Sequence, residues 1–181
     1  MRTLKGQKCY LRALEPTDID LLISVENNER FWHLSNTLAP FSEYTLNEYL
    51  ANAHRDIYEI KQLRLVICMP SNEAIGFIDL FDFDPKNKRA GLGILIDNEE
   101  NRSKGFGQEA IALLLKYCFT YLDLHQVFAN ILEDNKGSIK LFEKLGFKRT
   151  GTKKDWHNTG KTFKTEFLYQ YIDSCTSSVS S

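Results

Sequence analysis

A chain of 181 residues with 43% apolar and 12% aromatic side chains can bury one sizeable core, which predicts a single domain. The net charge of −1 leaves no basic footprint for nucleic acid as the main partner, and no apolar run is long enough to span a bilayer. Met1 to Gly6 lacks the apolar stretch of a secretory signal. The four cysteines (Cys9, Cys68, Cys118 and Cys175) are widely spaced without a C-x-x-C pair, so they read as small hydrophobes in a reducing cytosol rather than as disulfides or zinc ligands.

In chain order, Lys8 to Arg12 is a short strand. Thr17, followed by Asp18 and Asp20, reads as the N-cap of a helix running to about Asn27. Phe31 to Phe41 reads as irregular. Thr45-Leu46-Asn47-Glu48 fits a capping box, which predicts a second helix to about Tyr58. The period then changes. Leu65 to Met69, Ile75 to Phe83 and Arg89 to Ile96, separated by the turns Pro70–Glu73 and Asp84–Asn87, read as an antiparallel meander. Phe106, Ala110, Ile111, Leu114, Cys118 and Leu122 recur at helical spacing. Gln126 to Leu132 is the next strand. Ser138 to Leu145 is a short helix with Gly146 at its left-handed C′ position, and Phe163 to Tyr171 is a final strand. The order β-α-α-β-β-β-α-β-α-β, with room for a short strand at Phe147 to Thr150, predicts an α+β domain over residues 1–173. It would be a mixed, mostly antiparallel sheet flanked by helices; the Ser-rich residues 174–181 read as a disordered tail.

Arg102-Ser103-Lys104-Gly105-Phe106-Gly107 carries the strongest functional signal. Two glycines let the backbone turn tightly and approach a ligand, and the first amides of the helix that follows have no internal partners. A strand, a glycine loop and a helix N-terminus form an anion site, with Arg102 and Lys104 adding charge. Gly105 to Ala110 also matches G-x-G-x-x-A, but residues 97–104 intervene after the strand and too little chain follows for a second mononucleotide half. A dinucleotide site is therefore disfavoured.

R-x-x-G-x-G after a strand resembles the pyrophosphate loop of the GNAT superfamily of acetyltransferases. Asn135-Lys136-Gly137-Ser138 followed by Leu145-Gly146-Phe147 is similar to that family's signature on its last helix. The two motifs and the element order agree with it over roughly Lys8 to Ile172. Asn27-Asn28, Arg89-Ala90 and Ser138 to Phe147 look most like the branch holding spermidine (diamine) N-acetyltransferases and the related ribosomal-protein alanine N-acetyltransferases.

The resemblance implies an acetyl-CoA-dependent enzyme moving an acetyl group to a primary amine: a polyamine, a small amine or a peptide N-terminus. It implies that Ile94, Leu95 and Ile96 pair with the pantetheine arm, that the amides of Arg102, Ser103, Lys104, Gly105, Phe106 and Gly107 hold the pyrophosphate, and that Asn135 and Ser138 line the other wall. Helix capping is the competing explanation of Asn135 and Ser138, and the motif match puts the binding role ahead of it. An alkylamine, with a pKa of about 10.4, must lose a proton before attack, and a strand amide near Leu95 would stabilise the oxyanion.

The chain departs from the family pattern twice. Phe142 stands where many members carry a tyrosine that protonates the leaving sulfur, and Gly91 where they often carry a glutamate. These departures leave a non-catalytic, CoA-binding module as the rival reading. Asp79 and Asp82 fall where the spermidine enzymes carry glutamates, and alternation allows only one of them to face a site unless a bulge intervenes; an inward carboxylate would attract a cationic amine and act as base, and edge-strand solvation is the alternative. Glu26, Glu29 and His33 are further acceptor-wall candidates; Trp32 and Trp156-His157 suggest aromatic walls of an acceptor pocket, with core or rim packing the favoured reading of each. The acidic stretch of the polyamine enzymes is neutral here, over Ser35 to Phe41. No metal ligand cluster stands out, and exposed sheet edges would permit a homo-oligomer.

Overall fold

Seven strands make one sheet: Tyr10–Ala13 (β1), Leu63–Cys68 (β2), Ala74–Asp84 (β3), Arg89–Ile96 (β4), Gln126–Leu132 (β5), Lys148–Asn158 (β6) and Phe163–Ile172 (β7). The structure is a computed structural model and describes residues 4–35 and 37–173, without the side chains of residues 33–35. The expected tail at 174–181, with Cys175, lies outside the described residues. The spatial order is β1-β2-β3-β4-β5-β7-β6, antiparallel throughout except for the parallel pair β4–β5. The mixed, mostly antiparallel α+β sheet is the expected one.

The continuous apolar run of β2 is explained by helices on both faces of the sheet. Leu65 and Ile67 point into a cluster with Ile78, Leu92 and the buried face of Phe106–Thr120 (α5). Val66 and Cys68 point the other way, among Leu22 and Val25 of Ile19–Glu26 (α1) and Leu46 of Glu43–Ala51 (α3). Cys9, Cys68 and Cys118 are buried and free, and burial pushes the Cys9 and Cys118 thiols up to about 12.

The boundaries differ from expectation where a cap was misread. Thr17 caps nothing: Pro16–Asp18 is a 3-10 turn, and the buried Asp18 takes two 2.7 Å bonds from Arg12 and the Glu15 amide at 2.8 Å. Ser42, not Thr45, caps α3, accepting from the Thr45 amide at 3.1 Å. That helix ends at Ala51, and a separate turn, Ile57–Ile60 (α4), precedes β2. Part of the stretch read as irregular is helical, Glu29–Ser35 (α2). Lys136–Lys144 (α6) closes as expected: Gly146 has φ +95°, Phe147 N–H bonds Phe142 O at 3.1 Å, and Gly146 N–H bonds Glu143 O at 3.0 Å.

One side chain ties the start of the chain to α5. The Glu109 carboxylate accepts from the amides of Gln7 (3.0 Å), Lys8 (2.7 Å) and Cys9 (2.7 Å). Partial burial raises its carboxyl, but the three amides outweigh that and hold it below the usual range. A depressed carboxyl contributes stability that is present above its unfolded value and lost as pH falls through its folded one. Glu109→Gln is expected to cost about 2 kcal/mol, or about 4–8 °C in melting temperature near neutral pH, with the gap to wild type closing in acid. Thermal melts over a pH series measure it.

Candidate active site

β4 and β5 are paired only at their first residues, Arg89↔Gln126, Ala90↔Val127 and Gly91↔Phe128. Beyond Gly91 they part, and β5 pairs only with β7. The wedge opens into a cavity of about 550 Å³, within the usual range for ligand sites. Its walls come from β4 (Leu92 to Leu95), β5 (Ala129 to Leu132), α6 and the β6–β7 hairpin.

The phase of the β3–β4 ladder decides which backbone groups face the wedge. Asp97 N–H bonds Ile75 O at 3.0 Å, and the register runs unbroken from Gly76↔Ile96 to Phe81↔Gly91. Alternation then directs the Leu95 and Gly93 amides to β3, and those of Leu92, Ile94 and Ile96 to the open edge. The Arg102 guanidinium bonds the Ile96 carbonyl on that side at 3.0 and 3.2 Å. Leu95 is thus not the strand residue whose amide faces the wedge; Ile94 is.

The glycine loop abuts the wedge. A Cβ on Gly107 would lie 3.7 Å from both the Ile94 and Ile96 side chains, and 3.4 Å from Leu141 of α6. Ser103 (φ +60°) and Gly105 (φ +91°) turn the chain into α5. Its first bond runs from Glu109 N–H to Gly105 O at 3.1 Å, so the amides of Phe106, Gly107 and Gln108 precede the helical ladder. Arg102 keeps its charge but is held in place: two of its nitrogens donate to the Ile96 carbonyl, and its guanidinium lies over the Phe31 ring at 5.8 Å. Lys8, absent from the sequence-level site, sits beside Gly105 and donates to the Lys104 carbonyl at 2.8 Å.

One wall is built around Arg64 of β2, only 17% exposed. It bonds Asp79 of β3 twice (2.7 and 3.2 Å), pairs with Glu26 at the end of α1, and lies over the Phe77 and Tyr49 rings. Two carboxylates share one cation, leaving a net negative charge at the cavity. Burial lifts the Asp79 carboxyl above its usual range against the pull of Arg64. Asp82 sits apart, exposed at φ +49° in the bulge that shifts β3 against β4 between Phe81 and Asp84. The bulge turns it outward, and it does not line the cavity.

The Phe81 ring explains Gly91. A Cβ there would come within 2.2 Å of the ring, which packs edge-on against Phe128 at 5.6 Å. A side chain at 91 would require the Phe81 ring to move from this position.

On the opposite wall, Asn135 caps α6, its Oδ1 accepting from Ser138 N–H at 3.1 Å, and both residues line the cavity. Phe142 also lines it, 3% exposed and packed on Phe147 at 4.9 Å. Next to them Glu166 of β7, 8% exposed, is bonded by His157 Nε2 at 2.6 Å and Lys153 Nζ at 2.8 Å. Trp156 joins His157 at the cavity. Trp32 does not: its indole caps α1 by donating to Glu26 O at 2.8 Å, and Glu29 is exposed outside the cavity. The His33 side chain lies outside the described residues. Sequence reading missed Arg64, Lys153 and Glu166; for the first and last, the only signal is that a charged residue interrupts an apolar strand.

A parted parallel pair with a glycine-loop helix at its mouth defines an acyl-CoA-type site. Residues 8–148 match the acetyltransferase (GNAT) domain, and the chain belongs to that family. Over 146 residues it is 30% identical to the SPbeta prophage-derived uncharacterized N-acetyltransferase YokL of Bacillus subtilis, covering 81% of this chain and 79% of that one. Over 144 residues it is 28% identical to the spermidine N(1)-acetyltransferase of Vibrio cholerae, covering 78% and 79%. The crystal structure of a V. cholerae spermidine N-acetyltransferase in complex with CoA and spermine superposes with a TM-score of 0.82 at 25% identity, covering 93% and 98%. A dodecameric structure of spermidine N-acetyltransferase from that organism superposes at 0.78, also at 25% identity, covering 97% and 100%.

Proposed function

We propose that this protein is a cytosolic N-acetyltransferase that moves the acetyl group of acetyl-CoA to the primary amine of a small molecule, a polyamine or diamine among them. The observation that carries the reading is a cavity that joins an open strand edge to a net-negative wall, with the N-terminus of α5 packed beside Ile94 and Ile96 of that edge. The edge groups of Leu92, Ile94 and Ile96 fit an extended amide-bearing arm, and the amides of Phe106, Gly107 and Gln108 fit a diphosphate, with Lys8 and Lys104 beside them. The bound co-substrate brings the thioester.

In this reading Asp79 and Glu26 attract and hold the ammonium group. One unbalanced negative charge suits one cation at that point. The Ile94 amide takes the role expected of Leu95, donating to the carbonyl oxygen as negative charge builds there. Phe142 shields the thioester from water instead of protonating sulfur. A thiol pKa of about 8.5 makes the thiolate a workable leaving group without an acid. Assembly of several copies belongs to the same reading, since β6 leaves one edge unpaired.

The test is CoA-thiol release from acetyl-CoA across spermidine, short diamines, aminoglycosides, amino acids and N-terminal peptides, with equilibrium CoA binding measured alongside. Release with one class is expected. Tight CoA binding with no release from any acceptor would replace the transferase by the CoA-binding module. With the best acceptor, Asp79→Asn is expected to lower kcat/KM about 30-fold, mostly through KM, and to leave CoA affinity unchanged.

A further inference from the structure

We propose that His157, oriented by Glu166, takes the proton from the incoming amine; the proposal rests on the acetyl-transfer reading above and adds the proton route that reading leaves open. Four observations converge on it.

First, His157 sits where a bulge has put it. Lys153 pairs with Glu166 and His157 with Lys164, so three residues of β6 lie opposite the single Thr165 of β7. Asp155 takes φ +51° inside that bulge. Two extra residues bring His157, rather than Asp155, opposite Lys164 and onto the cavity wall.

Second, the tautomer follows from the neighbours. Glu166 also accepts from Lys153 at 2.8 Å, and an ionised carboxylate only accepts, so the proton in the 2.6 Å contact sits on His157 Nε2. The neutral ring then presents a lone pair on Nδ1, which has no protein hydrogen bond among the described residues.

Third, Glu166 is held firmly enough to aim the ring. It is one of two buried charged residues among those described, and Lys153 is itself fixed by Asn130 at 3.1 Å. The other charges around the ring are Lys164, paired with Asp134, and Asp155 in the bulge. A cavity-wall histidine with one nitrogen bonded to a buried carboxylate and the other without a protein partner is the usual arrangement of a general base.

Fourth, the carboxylate expected to act as base is committed elsewhere. Both oxygens of Asp79 accept from Arg64, which suits holding an ammonium group better than removing its proton.

The step balances. The ammonium N–H proton passes to His157 Nδ1, directly or through one water. The freed nitrogen lone pair attacks the acetyl carbon, the C–N bond forms and the C–S bond breaks. The sulfur keeps the electron pair and takes the second proton shed by nitrogen. His157 returns its proton to solvent, so an ammonium and an acetyl thioester give an N-acetylamine, a thiol and one proton. Glu166 is a positioning residue.

Steady-state kinetics and CoA binding on the full chain test the proposal. His157→Gln, which keeps a donor toward Glu166, is expected to lower kcat/KM about 100-fold or more with CoA affinity unchanged, and to remove the acidic limb of the kcat/KM–pH profile. Added imidazole should restore part of the activity of His157→Ala, and Glu166→Gln should displace the acidic limb. Activity of His157→Gln within about threefold of wild type overturns the proposal. If His157→Gln does not fold, the profile of Glu166→Gln decides, and an acidic limb it leaves unmoved overturns it as well. Wild-type protein that binds CoA but acetylates no amine removes the underlying transferase reading, whereas turnover that survives the loss of His157 removes only this proton route.

Discussion

Gly105→Val is expected to weaken CoA binding about 100-fold while leaving the fold in place. Gly105 holds φ +91°, a conformation that a β-branched residue reaches only at a cost of about 1–3 kcal/mol. The nearest obstacle to a new Cβ is Lys8 Nζ at 2.8 Å, the mobile end of a long side chain, so backbone strain rather than collision dominates. The loop relaxes by rotating the peptides that lead into α5, and the outward amides lose their common focus. Strain plus the loss of one charge-assisted hydrogen bond comes to about 3 kcal/mol, the energetic equivalent of about 100-fold in affinity. Isothermal titration with CoA and a thermal melt on the same sample measure both effects. Unchanged affinity would remove the loop from the binding site.

Arg64→Leu should produce the largest stability loss. Arg64 is 17% exposed and Glu26 and Asp79 are 15% and 22% exposed, so its removal leaves two carboxylates facing each other in a largely dry wall. Breaking such a buried cluster on one side costs about 3–5 kcal/mol, or roughly 10 °C in melting temperature for a chain of this size. The Asp79 carboxyl is already raised in the folded protein, and a raised carboxyl contributes stability that is present in acid and lost as pH rises through its folded value. Without Arg64 the Asp79 carboxyl moves further up. The deficit is therefore largest near neutrality and narrows on acidification, which melts between about pH 5 and pH 7.5 would reveal. A deficit independent of pH would mean that the loss comes from packing on Phe77 and Tyr49 instead of from charge.

Elements whose signal is local were legible in the sequence. The turn at Gly146 follows from a glycine after an amphipathic stretch, and the start of α5 from Gly105 and the apolar spacing behind it. β2, β3 and β4 were found because their apolar runs are bounded by Pro, Asn and Asp. β6 was read as at most four residues and is eleven, because it is an edge strand with mostly exposed side chains and no apolar alternation. The α1 cap was misplaced because Asp18 is consumed by Arg12, an ion pair with no local signature. Asp79 and Asp82 were weighed equally because alternation alone left open which one faces in. The Arg64 cluster and the His157–Glu166 pair depend on strand register and on a bulge, which spacing along the chain does not encode. The Gly91 departure, which read as a missing catalytic group, has a packing cause in Phe81 that no neighbour in sequence announces.

The grip of Glu109 on residues 7–9 ties that segment to the loop proposed to hold the coenzyme. The same carboxylate sits one turn into α5 and holds the segment from which Lys8 reaches the Lys104 carbonyl. A fusion partner or trimming at the amino end would thus register as altered coenzyme affinity, and the position of any tag becomes an experimental variable in its own right.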